Sequence, residues 1–209
     1  MSVRPDIACI VLAAGRSTRM GAANKLLAEI DGKPMVRIVV ETALASTARP
    51  VLLVTGHQAA EVRAALVGFD VTLCANPDYA TGLSTSLKAG IRAVPTSCAG
   101  ALVLLGDMPR ITAAHIDALI AAFAPEADAD IVVPTHQGQR GNPVLWSADL
   151  FAEIGQLDGD AGARRLLQKY PNRVREVDLG TDAIFTDVDT PEALALMRER
   201  GQTPRRRPK

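Results

Sequence analysis

Three positively charged side chains surround a glycine-bounded loop near the start of the chain. Ile7–Ala13 has the continuous apolar pattern of a buried strand, and this pattern stops before Gly15. Arg16, Arg19 and Lys25 follow closely. Small residues and backbone N–H groups let such a loop approach phosphate oxygens, and the cations offset their negative charge. The segment therefore predicts a polyphosphate site, and the alternative is a surface loop with solvated arginines.

Two better-known phosphate loops do not fit this segment. The dinucleotide-binding fingerprint needs G-x-G-x-x-G, whereas Gly15 and Gly21 are six residues apart. The P-loop needs G-x-x-x-x-G-K-[ST], whereas Gly21 is followed by Ala22. Both motifs are therefore excluded as the origin of the loop.

A candidate metal carboxylate follows a second apolar run. Asp107 comes directly after residues 101–105 and Gly106, and open α/β sheets bind ligands at the carboxyl ends of their strands. One Asp together with phosphate oxygens and waters is a usual way to hold Mg²⁺. The alternative is that Asp107 caps the next helix, but Thr112 can supply that cap.

Asp187 and Asp189 form a second acidic group late in the chain. They flank Val188, so in a strand their side chains would share a face. Equally, Asp189 or Thr190 can cap a helix that begins at Pro191. If one of these carboxylates completes the metal site, we expect it to be Asp189.

The composition is that of an ordinary globular protein. The chain has 209 residues, of which 48% are hydrophobic and 22% charged, and its formal net charge is zero. No global field therefore favours nucleic acid or a membrane surface. No apolar run approaches the roughly 18 residues of a membrane span, and the start lacks a signal-peptide pattern. Cys9, Cys74 and Cys98 have no C-x-x-C spacing, so we expect buried thiols in a cytoplasmic protein.

Predicted strands and helices alternate along the chain. The strands are expected at 7–13, 51–55, 71–75, 101–105, 131–134, 144–146, 174–177 and 184–186. The helices are expected at 34–46, 58–67, 84–93, 112–123, 149–154, 162–169 and 191–200, the third of them capped by a serine near Gly82. Repeated βα units imply a mostly parallel sheet covered on both faces, and a polar hairpin at 136–141 adds an antiparallel return. The fold class is therefore α/β, with three layers and a mixed, Rossmann-like sheet.

The motifs resemble those of one nucleotidyltransferase family. The opening L-A-A-G-x-S-x-R-M-G followed by N-K-L-L is similar to the start of the MobA-like nucleotidyltransferases, and within them most similar to the molybdenum cofactor cytidylyltransferases. Further similar motifs are Gly82-Leu83-Ser84-Thr85-Ser86-Leu87, Gly106-Asp107-Met108-Pro109, Gly141-Asn142-Pro143-Val144, Gly159-Asp160-Ala161-Gly162-Ala163-Arg164 and Asp187-Val188-Asp189-Thr190-Pro191. The resemblance spans nearly the whole chain in colinear order.

The resemblance implies a fold, a reaction and a set of residues. The fold would be the nucleotide-diphospho-sugar transferase type, in one domain over 1–203 with a nucleotide half (1–110) and an acceptor half (111–203). The tail at 204–209 is basic and flanked by prolines, so its composition itself predicts a disordered, solvated end, and the alternative is a tail that contacts phosphate. The reaction would be Mg²⁺-dependent transfer of CMP from CTP to molybdenum-molybdopterin, with release of pyrophosphate and with a molybdenum hydroxylase as a client. The implied nucleotide-binding residues are Leu12, Ala13, Ala14, Gly15, Arg16, Arg19, Lys25, Asn76, Ser84 and Asp107. Of these, Lys25, Arg19 and Asp107 would be catalytic, and Asp107 and Asp189 would hold the metal. The acceptor residues would be Gly141, Asn142, Pro143, Asp160 and Arg164.

Three other functions stay open at this point. Asn142 stands where relatives often carry histidine, and this departure leaves the acceptor open, since another cytidylyl- or sugar-phosphate nucleotidyltransferase fits the same first half. A non-catalytic maturation factor would bind cofactor without releasing pyrophosphate. An NAD(P) oxidoreductase would fit the βα pattern, although the missing G-x-G-x-x-G argues against it.

Overall fold

The structure, a computed structural model, describes residues 5–17, 24–125, 129–159 and 163–201. Arg19, Asp160 and the basic tail at 204–209 lie outside these residues. The strands are β1 (Ile7–Ala13), β2 (Glu29–Ile30), β3 (Lys33–Pro34), β4 (Val51–Thr55), β5 (Thr72–Ala75), β6 (Gly100–Leu105), β7 (Ile131–His136), β8 (Gln139–Arg140), β9 (Val144–Ser147) and β10 (Val174–Asp178). The α-helices are α1 (Met35–Ala45), α2 (Ala59–Ala64), α3 (Leu83–Arg92), α4 (Ala113–Ala122), α5 (Phe151–Ile154), α6 (Arg164–Lys169) and α7 (Pro191–Gly201).

The main sheet is mixed, as the alternation of elements predicted. Its strand order is β10-β7-β9-β6-β1-β4-β5, with β8 paired on β7. The pairs β1–β4, β1–β6, β4–β5 and β7–β10 are parallel. Strand β9 runs antiparallel to both β6 and β7, so the hairpin of the later half inserts the reversed strand into the parallel sheet.

Helices cover both faces of the sheet, which confirms the three-layer prediction. Alternate residues of β1 belong to two separate cores: Cys9 and Val11 pack on the side of α1, α2 and α4, whereas Ile10 and Leu12 pack on the side of α3, α5 and α6. A strand buried on both faces must be apolar throughout, and all seven residues of β1 are buried.

Two local predictions are wrong. Residues 184–186 are not a strand, because Asp182–Phe185 forms a 3₁₀ turn in which the Thr181 hydroxyl accepts a bond from the backbone N–H of Ala183 at 3.2 Å. No serine caps α3 either: its N-cap is Gly82, at φ +128°, and Ser84 and Ser86 are buried inside the helix. The cap of α4 is confirmed, since Thr112 accepts from the backbone of His115 at 3.3 Å.

Among the described residues, none of the helices combines the length and the apolar character needed to cross a bilayer.

Candidate active site

The site lies where β1 and β6 end side by side. Leu12 is in register with Leu105, and the backbone N–H of Gly106 donates to the Leu12 carbonyl at 3.0 Å. A Cβ at Gly106 would lie 2.8 Å from that same oxygen, so only glycine allows this approach. The close contact directs the chain to Asp107 at the carboxyl end of the sheet.

Lys25 joins three segments that are far apart in sequence. Its Nζ donates to Asp107 Oδ2 at 2.5 Å and also to Asp189 Oδ1. The side chains of Lys25 and Asp107 are 14% exposed and that of Asp189 is 26% exposed. Because these charges are largely withdrawn from water, removing one of them leaves the others poorly compensated.

Local hydrogen bonds hold Lys25 in place. The side-chain carbonyl of Asn24 accepts from the backbone N–H of Leu26 at 3.0 Å and caps the 3₁₀ turn Lys25–Leu27. The Ser17 hydroxyl accepts from the backbone N–H of Lys25 at 3.2 Å. Ser17 and Asn24 thus fix the chain on the two sides of residues 18–23, which include Arg19 and lie outside the described residues.

The charged groups of the cluster shift one another's pKa values. Burial lowers the pKa of Lys25, but the charges and hydrogen bonds of Asp107 and Asp189 outweigh it and raise that pKa above its ordinary value. Burial is also the main cause that raises the pKa of Asp187, and the nearby carboxylates of Asp189 and Asp107 add to it. Lys25 is therefore a firmly protonated counter-ion in a cluster of carboxylates.

One cavity of about 490 Å³ opens over this cluster. The end of β1 and the segment after β5 both line it. The residues that line it are Leu12, Ala14, Gly15, Arg16, Lys25, Leu26, Tyr79, Ala80, Thr81, Gly82, Leu83, Ser86, Leu105, Asp107, Asp187 and Asp189. The cavity thus combines exposed backbone, two cations and three carboxylates.

A second cavity of about 660 Å³ adjoins the first. Both cavities are lined by Leu12, Leu83 and Leu105, so they meet at the apolar ends of β1 and β6 and the start of α3. Its remaining lining residues are Leu87, Val103, Arg140, Gly141, Asn142, Val144, Trp146, Ala163, Arg164, Leu167 and Gln168. It offers an apolar floor with two arginines, which suits a flat apolar molecule that carries an anion.

Three of the expected nucleotide-binding residues, Ala13, Asn76 and Ser84, do not line either of these cavities. Asn76 is 4% exposed, and its amide nitrogen donates to the hydroxyls of Thr85 and Ser86 at 3.0 Å each. Ser84 is 2% exposed within α3. Asn76 therefore holds the start of α3 against the strand end, which positions the cavity lining rather than contributing to it.

The expected acceptor residues are partly brought together. Gly141, Asn142 and Arg164 line the second cavity, whereas Pro143 does not. Asp160 and Arg19 fall outside the described residues. The lining residues Tyr79, Arg140 and Trp146 were not among the expected site residues; only Arg140 had a signal in the sequence, as a cation beside Gly141-Asn142.

The donor set fits a small hard cation. Asp107 Oδ1 is buried and, among the described residues, has no hydrogen-bond partner. No group of three or more His, Cys, Asp or Glu in the described part of the chain has the arrangement of a metal site. Two carboxylates are nevertheless enough for Mg²⁺ or Mn²⁺ when substrate phosphates and waters complete the shell. Asp107 and Asp189 are the residues that would hold it.

Comparisons with known proteins give a consistent family. A MobA-like NTP transferase domain matches residues 9–174. Molybdenum cofactor cytidylyltransferase of Escherichia coli (strain K12) is 32% identical over 93% of this chain and 96% of its own length. Purine catabolism protein PucB of Bacillus subtilis (strain 168) is also 32% identical, over 93% and 97%. Nicotine blue oxidoreductase of Paenarthrobacter nicotinovorans is 29% identical, over 91% and 95%.

Solved structures share the fold. An Rv0371c homolog from Mycobacterium sp. strain JC1 superposes with a TM-score of 0.82 at 28% identity, covering 95% of this chain and 98% of its own. The manganese complex of Rv0371c from Mycobacterium tuberculosis H37Rv has a TM-score of 0.77 at 26% identity, covering 94% and 100%. A nucleotidyl transferase from Methanothermobacter thermautotroptrophicus has a TM-score of 0.79 at 24% identity, covering 94% and 97%. The sheet is thus of the nucleotide-diphospho-sugar transferase type.

Proposed function

The chain belongs to the MobA-like NTP transferase family, and from this premise we propose that it is a Mg²⁺-dependent cytidylyltransferase. It would transfer CMP from CTP to the phosphate of a molybdopterin-type acceptor, with release of pyrophosphate. That the chain is a nucleotidyltransferase follows from the family itself. The nucleotide, the acceptor and the metal are the proposal.

One observation carries the proposal. The two adjoining cavities, one with cations and carboxylates and one with an apolar floor and arginines, share Leu12, Leu83 and Leu105 as their common lining. A transferase must hold two substrates with their reacting atoms aligned, and this alignment can supply a large part of the rate acceleration. The relative named molybdenum cofactor cytidylyltransferase, 32% identical over 93% of this chain, supports the choice of substrates.

Arg16 and Lys25 would bind the triphosphate in the first cavity. Lys25 would donate to phosphate oxygens in addition to its present carboxylate partners, and Arg19 would join from the same loop. Backbone groups of Leu12, Ala13, Ala14 and Gly15 would contact the base or ribose. Positive charge at the leaving pyrophosphate lowers the barrier because negative charge builds up there in the transition state.

Asp107 and Asp189 would hold a divalent cation, which supplies charge neutralisation of the phosphates when it is bound. The buried, unpartnered Oδ1 of Asp107 supports this assignment, as does the manganese complex of the 26% identical Rv0371c.

The acceptor would attack with an oxygen that is already anionic. A new bond forms between the acceptor phosphate oxygen and the α-phosphorus of CTP, while the bond from the α-phosphorus to the bridging oxygen breaks and pyrophosphate leaves with that electron pair. No side-chain base is required for this step. Arg164 would bind the acceptor phosphate, and Gly141, Asn142 and Pro143 would shape the loop beside it. Asp160, which lies outside the described residues, is also proposed as an acceptor residue.

The organisation of the chain enters the proposal as well. Residues 1–110 would form the nucleotide half and 111–203 the acceptor half of one domain. The described cysteines are free and buried, which fits a reducing compartment, so a cytoplasmic location is proposed. A molybdenum hydroxylase would be the client.

A substrate panel tests the proposal. The purified protein is incubated with MgCl₂, a molybdopterin acceptor and, in turn, CTP, GTP, ATP or UTP, and pyrophosphate release is measured. We expect release with CTP that depends on both acceptor and metal. Release with a different acceptor, such as a sugar phosphate, would indicate another nucleotidyltransferase. Tight binding of the acceptor without release would indicate a maturation factor. Oxidation of added NAD(P)H without pyrophosphate release would favour the oxidoreductase alternative, a reaction class that also appears in the name of the 29% identical relative.

A further inference from the structure

Hydrogen bonds from Arg110 hold the turn that precedes Asp187 and Asp189. Arg110, which lies just beyond Asp107, donates through Nη2 to Asp182 Oδ1 at 2.6 Å and through Nη1 to the Thr186 hydroxyl at 3.1 Å. The Thr186 hydroxyl donates in turn to the Asp182 carbonyl at 3.0 Å. Arg110 therefore closes the 3₁₀ turn from outside.

The loops of both cavities contact the same turn and its exit. On the nucleotide side, the backbone N–H of Val188 donates to the Asp107 carbonyl at 3.0 Å. On the acceptor side, the backbone N–H of Asn142 donates to the Ile184 carbonyl at 3.0 Å. A Cβ at Gly141 would lie 2.5 Å from that carbonyl oxygen, so the acceptor loop is packed directly on the turn.

The two backbone contacts of the turn are made by buried residues. Ile184 is 1% exposed, and Val188 is completely buried. The Arg110 side chain is 27% exposed, against 57% for Asp182, so the guanidinium is partly desolvated and its two bonds define one geometry. A planar guanidinium with fixed donor directions is suited to such a double contact, whereas a lysine would reach only one partner at a time.

We infer that Arg110 is a positioning residue, which holds the Asp182–Phe185 turn so that Asp189 stays beside Asp107 and Lys25. The inference rests on the proposed metal role of Asp107 and Asp189. Without Arg110 the segment from Thr186 to Asp189 keeps its bonds within the turn, its backbone bond at Val188 and the contact of Asp189 with Lys25. It loses the side-chain bonds that join the turn to the loop after β6, so the carboxylate of Asp189 is held less firmly beside Asp107. Loss of groups that orient metal ligands typically weakens metal affinity by about 10- to 100-fold. Since Arg110 acts through the backbone, we expect the low end of that range, about tenfold.

The test measures metal binding directly. Free Mn²⁺ is followed by electron paramagnetic resonance while MnCl₂ is titrated into wild-type protein, Arg110→Met and Arg110→Lys. Arg110→Met should bind Mn²⁺ about tenfold more weakly, and Arg110→Lys should recover part of that loss. CTP affinity measured by calorimetry in EDTA should change by less than about twofold, because the triphosphate cations are untouched.

Further variants keep the result decisive. Asp182→Asn removes the partner charge, and the double variant with Arg110→Met should bind Mn²⁺ no more weakly than Arg110→Met alone, since both act through one contact. Thr186→Val removes the hydroxyl that accepts from Arg110 and donates to the Asp182 carbonyl. It should weaken Mn²⁺ binding to a smaller extent, because the Arg110–Asp182 bond remains, and it serves if Arg110→Met fails to fold. Arg37→Met, which breaks the remote Arg37–Glu41 pair, is the matched control and should bind as the wild type does.

Two outcomes distinguish a failure of the Arg110 role from a failure of the proposed function. Wild-type Mn²⁺ affinity in folded Arg110→Met and Thr186→Val, with CTP-dependent pyrophosphate release intact in the wild type, would overturn the role of Arg110 alone. Absence of both Mn²⁺ binding and pyrophosphate release in the wild type would overturn the proposed function and this inference with it.

Discussion

Replacing Lys25 by Met gives a sharp test of the charge cluster, because it should move three measurable quantities in known directions. The methionine keeps most of the apolar stem and removes the ammonium group that bridges Asp107 and Asp189. Two carboxylates then face each other without their counter-ion, in a place where both are less than a third exposed.

The expected loss of stability follows from that burial. Removing one partner of a fully buried ion pair costs about 3–5 kcal/mol. The exposures of 14% and 26% place the Lys25 cluster below that limit, and we expect about 1–3 kcal/mol. For a domain of this size each kcal/mol lowers the melting temperature by about 2–4 °C, so Lys25→Met should melt about 2–12 °C below the wild type in EDTA.

Divalent cations should reverse this loss. In the wild type Lys25 already neutralises the carboxylates, so Mn²⁺ must compete with it, whereas in Lys25→Met the carboxylates are available. A ligand at about 100 times its dissociation constant stabilises a fold by about 2.7 kcal/mol. The rise in melting temperature on adding MnCl₂ should therefore be larger for Lys25→Met than for the wild type.

Nucleotide binding should weaken in Lys25→Met, whereas the stabilisation by Mn²⁺ should increase. A charge-assisted hydrogen bond to phosphate contributes about 1.5–3 kcal/mol, so CTP should bind Lys25→Met about 10- to 100-fold more weakly, and transfer should slow with it. The assays are differential scanning fluorimetry in EDTA and in MnCl₂, and calorimetry with CTP. Lys169→Met, which breaks the exposed Lys169–Glu153 pair at 2.8 Å, is the control. The reasoning is refuted if Lys25→Met melts at or above the wild-type temperature in EDTA, or if Mn²⁺ stabilises both proteins equally.

Three further predictions concern the metal, the base and a buried thiol. Asp107→Asn should keep the far-ultraviolet circular dichroism spectrum but lower the turnover number by about a hundredfold or more, since a charged metal ligand is lost; a near-wild-type turnover number would remove Asp107 from the site. CTP should exceed GTP in kcat/KM by about tenfold to a few hundredfold, because unpaired base groups cost about 1–3 kcal/mol each; equal use of the two nucleotides would contradict the cytidylyl assignment alone. Burial raises the pKa of Cys9 to about 12 from 9.0, so the stabilisation from the neutral thiol is complete below pH 9 and is lost as the pH rises towards 12. From pH 8 to 10 the free energy of unfolding should fall by about 1 kcal/mol more in the wild type than in Cys9→Ala, and parallel curves would contradict the burial argument.

The sheet and its central strands were predictable because their signal is long and apolar. Ile7–Ala13 is buried on both faces, which only a continuous apolar run allows, and the sequence shows that run directly. The late strand expected at 184–186 failed for the opposite reason. Three residues with a high β propensity carry little information, and a local cap from Thr181 was enough to form a turn instead.

The site was predictable only as far as strand ends determine it. Lys25, Asp107 and Asp189 were expected near one edge of the sheet, and the structure brings them together; their chemical roles stay predictions. Asn76 stands equally near a strand end, yet its side chain turns inward to Thr85 and Ser86. Sequence position gives the location of a residue but not the direction of its side chain.

Arg110 illustrates the same limit from the other side. In the sequence it follows Pro109 as an unremarkable charged residue, 72 positions before Asp182, and no periodicity links the two. Only the folded chain shows that the loop after β6 and the turn before α7 lie against each other, with the loop at Gly141 and Asn142 packed on the same turn.

This turn also connects the two cavities. Ile184 and Val188 are buried, and they are hydrogen-bonded to Asn142 and Asp107, which line different cavities. A shift of the turn therefore cannot be confined to one cavity. Occupation of the second cavity should then affect the placement of Asp189, so a ligand that displaces the loop at Asn142 should also change the affinity for Mn²⁺. By thermodynamic linkage, Mn²⁺ must change the affinity for that ligand by the same factor.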